Sequence, residues 1–299
     1  MKIGVVGAGG VGGFLAAMLS RSGEEIYLLA RGDQLKAIER EGVYVELRGE
    51  RVCGKPKKVS DKASSFEVEL DAVLFCTKGY DLEEAARSME PAISSKTLLV
   101  PLGNGVENAN RLLSVYPDNP IANGAIYIVS CIKEPGVAEV KGKGAYLVVG
   151  CDGKLPKRVK ELAKALEEAG LKVKVSEDIT TEVWRKFLLI SAMATLTSCY
   201  DEPMGAIVEK RGAELDEALR EIMAVGIAEG AKLDKEDIER VKVQVGKVPF
   251  NSPTSMWLDF KAGNRTELEE LTGYIVRRGE EMGMETPVMR RCYEELKRR

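Results

Sequence analysis

The chain has 299 residues, enough for two domains with cores of ordinary size, and its 44% hydrophobic and 30% charged residues exclude a disordered or membrane-embedded class. Lys and Arg number 44 against 47 Asp and Glu, a formal net charge of −3 with no long basic block, so nothing indicates a nucleic-acid partner. Histidine is absent, which excludes Ser-His-Asp and Cys-His mechanisms and removes the commonest ligand of catalytic zinc.

Lys2-Ile3-Gly4-Val5-Val6 reads as a short apolar strand, Gly7-Ala8-Gly9-Gly10-Val11-Gly12 as a glycine turn, residues 14–20 as a helix, and residues 25–30 as a second apolar strand ending at Arg31. This strand, turn, helix, strand order is the context in which G-x-G-x-x-G binds a dinucleotide. Gly7 lets the chain turn tightly, Gly9 lets backbone amides approach a pyrophosphate, and Gly12 lets the helix pack on the strand, with Ala8, Gly10 and Val11 completing the loop. Two plainer readings are a flexible loop and a secretory signal. The fixed phase of the glycines and the lack of an A-x-A-like cleavage site argue against both. An NAD-binding chain places Asp or Glu about 20 residues past the fingerprint. Here the strand ends in Arg31, whose fork of donors suits a 2′-phosphate, so the expected cofactor is NADP(H).

The pattern continues as α/β. Residues 34–41 are predicted helical, and 43–47 with 51–59 form an expected antiparallel excursion with Gly49 in its turn. Residues 71–76 and 97–102 are apolar runs of buried-strand type, followed by loops and then by helices over 82–89 and 106–115. Such loops, at the carboxyl ends of parallel strands, bind ligands in α/β sheets, and Lys78 and Asn104 fall in them. Strands over 124–131, 137–140 and 145–150, a helix over 156–169 and a strand over 172–175 follow. Beyond Asp178 the periodicity is helical, with long helices expected over 179–199, 213–233 and 267–282. The fold class is therefore α/β: a Rossmann-type dinucleotide-binding domain over 1–177 and an all-helical substrate domain over 178–299.

The six cysteines, Cys53, Cys76, Cys131, Cys151, Cys199 and Cys292, show no C-x-x-C spacing, and three lie inside apolar runs. With no signal peptide, reduced thiols in a cytoplasm are expected. No apolar stretch of about 20 residues lacks glycine or charge, so no membrane span is expected. If the chain reduces a carbonyl, the proton must come from Lys, Tyr, Glu or Asp. A lysine whose pKa is lowered by burial is the natural candidate.

The chain resembles the ketopantoate reductase family along its whole length. The matching pieces are the glycine fingerprint, Arg31-Gly32, Thr77-Lys78-Gly79-Tyr80-Asp81, Leu102-Gly103-Asn104-Gly105, Trp184-Arg185-Lys186, Ser255-Met256 with Asp259, and Arg265-Thr266-Glu267. The resemblance implies an NADPH-dependent reductase with a Rossmann domain, a helical second domain and a cleft between them. It further implies Lys186 as general acid, Glu267 near the reacting hydroxyl, Asn104 and Ser255 holding the substrate, and Lys78 and Asn104 near the cofactor. Each residue also has a plainer reading: Lys186 as an amphipathic-helix lysine, Lys78 as a loop lysine, Asn104 as a turn asparagine, Ser255 as a helix cap, Glu267 as a first-turn acid.

One departure bears on substrate. The family helix usually carries asparagines four and eight residues past its lysine, and here those positions are Ile190 and Ala194. The expected activity is reduction of a 2-keto acid, with 2-dehydropantoate to (R)-pantoate, in pantothenate and coenzyme A synthesis, as first candidate. The alternatives are a related reductase of another 2-keto acid or imine, and a catalytically weak NADP-binding sensor. A small-molecule keto acid is the expected partner, and a homodimer is the candidate assembly.

Overall fold

Strand β1 (Lys2–Val6) is apolar beyond Lys2 and buried over its last four residues. In the computed structural model, which describes residues 1–299 with the side chain of Lys143 excepted, the chain then turns at Gly7, whose φ is +96°. Helix α1 (Gly10–Arg21) begins inside the fingerprint rather than at residue 14. Glycine disfavours a helix by about 1 kcal/mol relative to alanine, so packing dictates this start. A Cβ on Gly12 would stand 1.8 Å from the Gly7 carbonyl oxygen, and one on Gly10 would stand 2.8 Å from the backbone of Ser130 and Cys131.

β2 (Glu25–Leu29), α2 (Gly32–Glu41), β3 (Val43–Leu47), β4 (Glu50–Gly54) and β5 (Lys58–Ser60) follow. The single strand expected over 51–59 is thus two strands in two sheets. β4 runs antiparallel to β3, with Val43 opposite Gly54, whereas β5 is parallel to β2. Pro56 in the break has no N–H for a ladder. Gly54 packs so tightly on α1 that a Cβ there would lie 2.4 Å from the Ala17 oxygen, which fixes where β4 ends.

β6 (Ala72–Phe75), α3 (Leu82–Ser88), β7 (Leu98–Pro101) and α4 (Asn108–Val115) continue the alternation, and the parallel sheet has the order β5-β2-β1-β6-β7. Connections run outward in both directions from β1, the topological switch point beside which such sheets bind ligands. Both faces of this sheet are covered. Ile3, Val5, Leu28, Leu74 and Val100 pack into one apolar cluster with α1, and Val6, Leu29, Val73, Phe75 and Leu99 into another with α3. That two-sided burial is why its strands read as continuous apolar runs.

β8 (Asn123–Glu134) and β9 (Val137–Gly150) form a long hairpin through Gly136. The strands expected over 137–140 and 145–150 are one strand. Its register slips where Tyr127 faces Tyr146 but Val129 faces Lys141, and Gly142 and Gly144, at φ +84° and +104°, absorb the extra residues as a bulge. After α5 (Lys157–Glu168) and β10 (Lys172–Ser176), the second sheet has the order β10-β9-β3-β4, with β8 on β9.

These elements form one compact unit, Met1–Gly103 with Glu107–Ile179; Asn104–Val106 group with Thr180–Arg299 in the other. The second unit holds α6 (Ile179–Tyr200), α7 (Met204–Lys210), α8 (Gly212–Ala228), α9 (Lys235–Val245), α10 (Ser255–Lys261), a π-helical turn (Glu269–Gly273), α11 (Tyr274–Glu281) and α12 (Pro287–Leu296), with no strand among its described residues. The helix expected over 213–233 stops at Ala228, because Gly230 takes φ +92° and Asp234 opens α9 with a capping box. The helix expected over 267–282 opens as the wide π turn. Trp184, Phe187 and Tyr274 stack edge-on or tilted at 5.3 to 6.2 Å within the helical core. Among the described residues no helix is long and apolar enough to cross a membrane, and no acidic, thiol or imidazole cluster could hold a metal.

Candidate active site

The fingerprint is a site made of backbone. With Gly9 as N-cap, the first N–H groups of α1 have no acceptor within the helix and point beyond its start. A Cβ on Gly9 would meet nothing within 4 Å, so this glycine keeps space open, whereas Gly7, Gly10 and Gly12 are held by close packing. Ala8 and Val11 are half-buried against the core below. A pyrophosphate fits such a cradle: donors are present, the helix dipole favours negative charge, and no side chain fills the space over Gly9.

Arg31 follows β2 as the N-cap of α2, in extended conformation. Its guanidinium is exposed and 3.5 Å from Glu84, which is exposed too, so the pair is weak and the fork can engage an anion. Lys78 is half-buried and precedes the 3-10 turn Gly79–Asp81 after β6.

The second cluster is made of side chains. Lys186 lies on α6 among Val183, Trp184, Phe187 and Leu188 and is only 6% exposed, which rules out the outward-snorkelling reading. Its ammonium donates to Asn104 Oδ1 at 3.2 Å. Burial pulls its pKa down to about 8, opposed by the negative charge of Glu267, itself buried at 2% exposure. Lys186, Asn104 and Glu267, scattered over the sequence, are thereby brought together in the helical unit. Neighbours of Lys186 do other work: Trp184 joins the core, and Arg185 bonds Glu182 and the buried Asp237 of α9, each at 2.9 Å.

Ser255 is the first residue of α10 and is exposed. It is not the helix cap, because Thr254 Oγ1 accepts from the Trp257 N–H at 3.3 Å. Ala194 is buried in the helical core, and Ile190 packs half-buried against it. The polar residues of this part of α6 stand one position further on. Ser191 and Thr195 are fully buried and bond to Leu271 and Thr272 of the π turn. Sequence reading passed over both, although two hydroxyls inside an apolar helix were a signal that something polar faces them.

Two family models match the chain, one in each half. The model of ketopantoate reductase PanE/ApbA matches residues 3–154, and that of its C-terminal part matches residues 178–299. The solved structure of a PanE/ApbA family ketopantoate reductase from Ralstonia eutropha JMP134 superposes with a TM-score of 0.90 at 31% identity, covering 99% of this chain and 97% of that one. A 2-dehydropantoate 2-reductase of Pyrococcus horikoshii is 28% identical, over 96% of this chain and 94% of its own. The ternary structure of a D-mandelate dehydrogenase with NADH and anilino(oxo)acetate shares the fold, with a TM-score of 0.88 at 24% identity over 100% of this chain and 98% of that one. With residues 3–154 and 178–299 both matched, the chain belongs to the ketopantoate reductase family.

Proposed function

We propose that the chain reduces a 2-keto acid with NADPH, with 2-dehydropantoate to (R)-pantoate as first candidate, in the cytoplasmic synthesis of pantothenate and coenzyme A. The observation that carries the reading is the buried Lys186, hydrogen-bonded to Asn104 and opposed by Glu267. Residues 1–177 would bind the cofactor and residues 178–299 would supply the acid. The fingerprint glycines, Arg31 and Lys78 would hold the cofactor, which supplies hydride to the substrate carbonyl carbon when bound. As that carbon is reduced, negative charge builds on the carbonyl oxygen, and the Lys186 Nζ–H stabilises it and passes its proton there. Asn104 Oδ1 holds the ammonium in orientation, and its amide N–H groups are donors for a substrate hydroxyl. Glu267 favours the charged lysine, which would otherwise lose its proton to burial. Ser255 would hold the substrate from the start of α10.

A second reading, reduction of a less polar 2-keto acid or an imine, is favoured by apolar Ile190 and Ala194, four and eight residues past the lysine on α6. The test is NADPH oxidation against a panel of 2-keto acids by wild type and Lys186→Met. Wild type should turn over at least one of them, and the variant should lose at least about 10²-fold in kcat while binding NADPH unchanged. Because the protonated lysine is the acid, wild-type kcat/KM should fall with rising pH above about 8. Stability runs the other way. The native lysine releases its proton at lower pH than the unfolded one, so the unfolded state binds more protons from about 8 up to the ordinary lysine value, and stability rises with pH across that window. A variant that kept near-normal turnover would end the assignment, and a wild type inert on the whole panel would favour a cofactor sensor.

A further inference from the structure

Glu267 stands two residues before the π turn, with Leu268 between. Within it, the Leu271 N–H still donates to the Glu267 carbonyl at 3.1 Å, but the Gly273 N–H reaches one residue further back, to Leu268, at 2.8 Å. One extra residue in a turn swings everything before it by about 100° relative to the helix after it. The direction of the Glu267 carboxylate relative to α11 therefore depends on the turn staying wide. A π turn is a rare, single-turn interruption of an α-helix, so its persistence here calls for surroundings that hold it.

Those surroundings are on α6. The hydroxyls of Thr195 and Thr272, both fully buried, are 2.7 Å apart, and the Ser191 hydroxyl donates to the Leu271 carbonyl at 3.3 Å. A buried hydroxyl on a helix can satisfy itself on its own backbone, as Thr197 does by donating to the Met193 carbonyl at 2.7 Å. Ser191 reaches across to the π turn instead. On the far side the turn is closed by Gly273, where a Cβ would lie 2.8 Å from Glu269 Oε2 and 3.0 Å from Tyr293.

We propose that the hydroxyl pair of Thr195 and Thr272, seconded by Ser191, is the positioning element that holds the π turn wide and so sets the Glu267 carboxylate against Lys186. The same helix then carries the acid and fixes the carboxylate that tunes it. The inference rests on the reading of Lys186 as proton donor. The charge acting on Lys186 is that of Glu267; Asn104, its acceptor, is uncharged, and Glu269 of the π turn is engaged by Arg277 and Tyr293 at 2.7 and 2.8 Å.

The test is the pH profile of kcat/KM, with NADPH affinity and thermal unfolding measured alongside, for Thr195→Val, Thr272→Val, the double variant and Thr195→Ser. Valine keeps the volume and removes the hydroxyl. Once Glu267 is displaced, the charged lysine loses its support, so the alkaline limb should move down by about half a pH unit or more and kcat should fall by about 10-fold, with NADPH affinity unchanged. The double variant should resemble either single one, since one interaction is lost in all three, and Thr195→Ser should restore the limb. If Thr195→Val does not fold, Ser191→Ala, which gives up one hydrogen bond, should shift the limb the same way by less. An unmoved limb in these variants overturns the proposal alone, provided Lys186→Met abolishes that limb. A limb that survives in Lys186→Met overturns the reading of the lysine and the proposal with it.

Discussion

Residues 7–12 and Lys186 are both fixed by close packing, but the two regions put packing to different use. In the fingerprint, backbone packing leaves no room for a side chain at Gly10 and Gly12, a positive φ calls for glycine at Gly7, and what is left facing outward is the row of amides at the start of α1. Around Lys186, side chains from Asn104, α6 and the segment of Glu267 close on a single ammonium, whose charge is made less stable by burial. A backbone site depends on a few adjacent residues having no Cβ. A side-chain site depends on contacts spread over the chain, so it tolerates local change and fails through distant change.

Within the fingerprint, Gly12 and Gly9 answer oppositely to the same added methyl. Gly12→Ala places a methyl 1.8 Å from the Gly7 oxygen, a backbone atom that cannot rotate away. Overpacking of this kind costs typically about 1 to 3 kcal/mol and occasionally more, outweighing the roughly 1 kcal/mol that alanine gains over glycine in a helix. The variant should unfold at clearly lower temperature and lose NADPH binding. Gly9→Ala meets nothing within 4 Å, so its melting temperature should match wild type while NADPH affinity falls by about 10-fold or more as the methyl enters the pyrophosphate space. Calorimetric unfolding and NADPH titration of both variants separate the cases. Normal NADPH binding by Gly9→Ala would mean that the cradle is not where the pyrophosphate sits.

Arg31, outside the glycines, adds one side chain to this stretch of backbone donors. The loss of a charge-assisted contact to a 2′-phosphate costs about 1.5 to 3 kcal/mol, so Arg31→Ala should raise KM for NADPH by roughly 10- to 100-fold and leave KM for NADH nearly unchanged. Its exposed partnership with Glu84 predicts no measurable change in stability. Wild-type enzyme favouring NADH would refute the 2′-phosphate assignment.

How much of this was legible in the sequence follows from the same contrast. The fingerprint and the parallel strands show directly, because their burial depends on neighbours in the chain and on a period of two or less. The division of residues 51–59 between two sheets does not show, because Arg51-Val52-Cys53 and Lys58-Val59-Ser60 are alike in pattern and differ only in which strand recruits them. The break between α8 and α9 was written in Gly230 and in the cap at Asp234, so there a local signal was outweighed by the apolar period around it. The π turn leaves that period almost untouched and is set by Ser191 and Thr195, about 80 residues away, which no local reading weighs. Lys186 was legible by the elimination of histidine and by resemblance, but its pairing with Asn104 is a tertiary contact.

The smallest expected effect, and the one that bears most on substrate, is at Ile190. This residue lies one turn beyond Lys186 on α6 and packs half-buried against the helical core, at a position where the family resemblance leads one to expect asparagine. A side chain that cannot hydrogen-bond neither rewards a substrate hydroxyl nor strongly rejects it, so wild type should distinguish 2-dehydropantoate from an unhydroxylated branched 2-keto acid of similar size by about 10²-fold or less in kcat/KM. Ile190→Asn introduces a donor and an acceptor at that position. One added hydrogen bond is worth about 1 kcal/mol, so KM for 2-dehydropantoate should fall by about 5-fold, with little gain for the unhydroxylated acid. The variant also gives up apolar packing and should melt at a lower temperature, which keeps a change in KM from being mistaken for a general improvement. If wild type already prefers 2-dehydropantoate by more than roughly 10⁴, buried polar groups other than the missing asparagines are reading its hydroxyl. Asn104, fixed by its bond to Lys186, and Ser255, exposed at the start of α10, are then the two positions at which that preference should collapse on substitution.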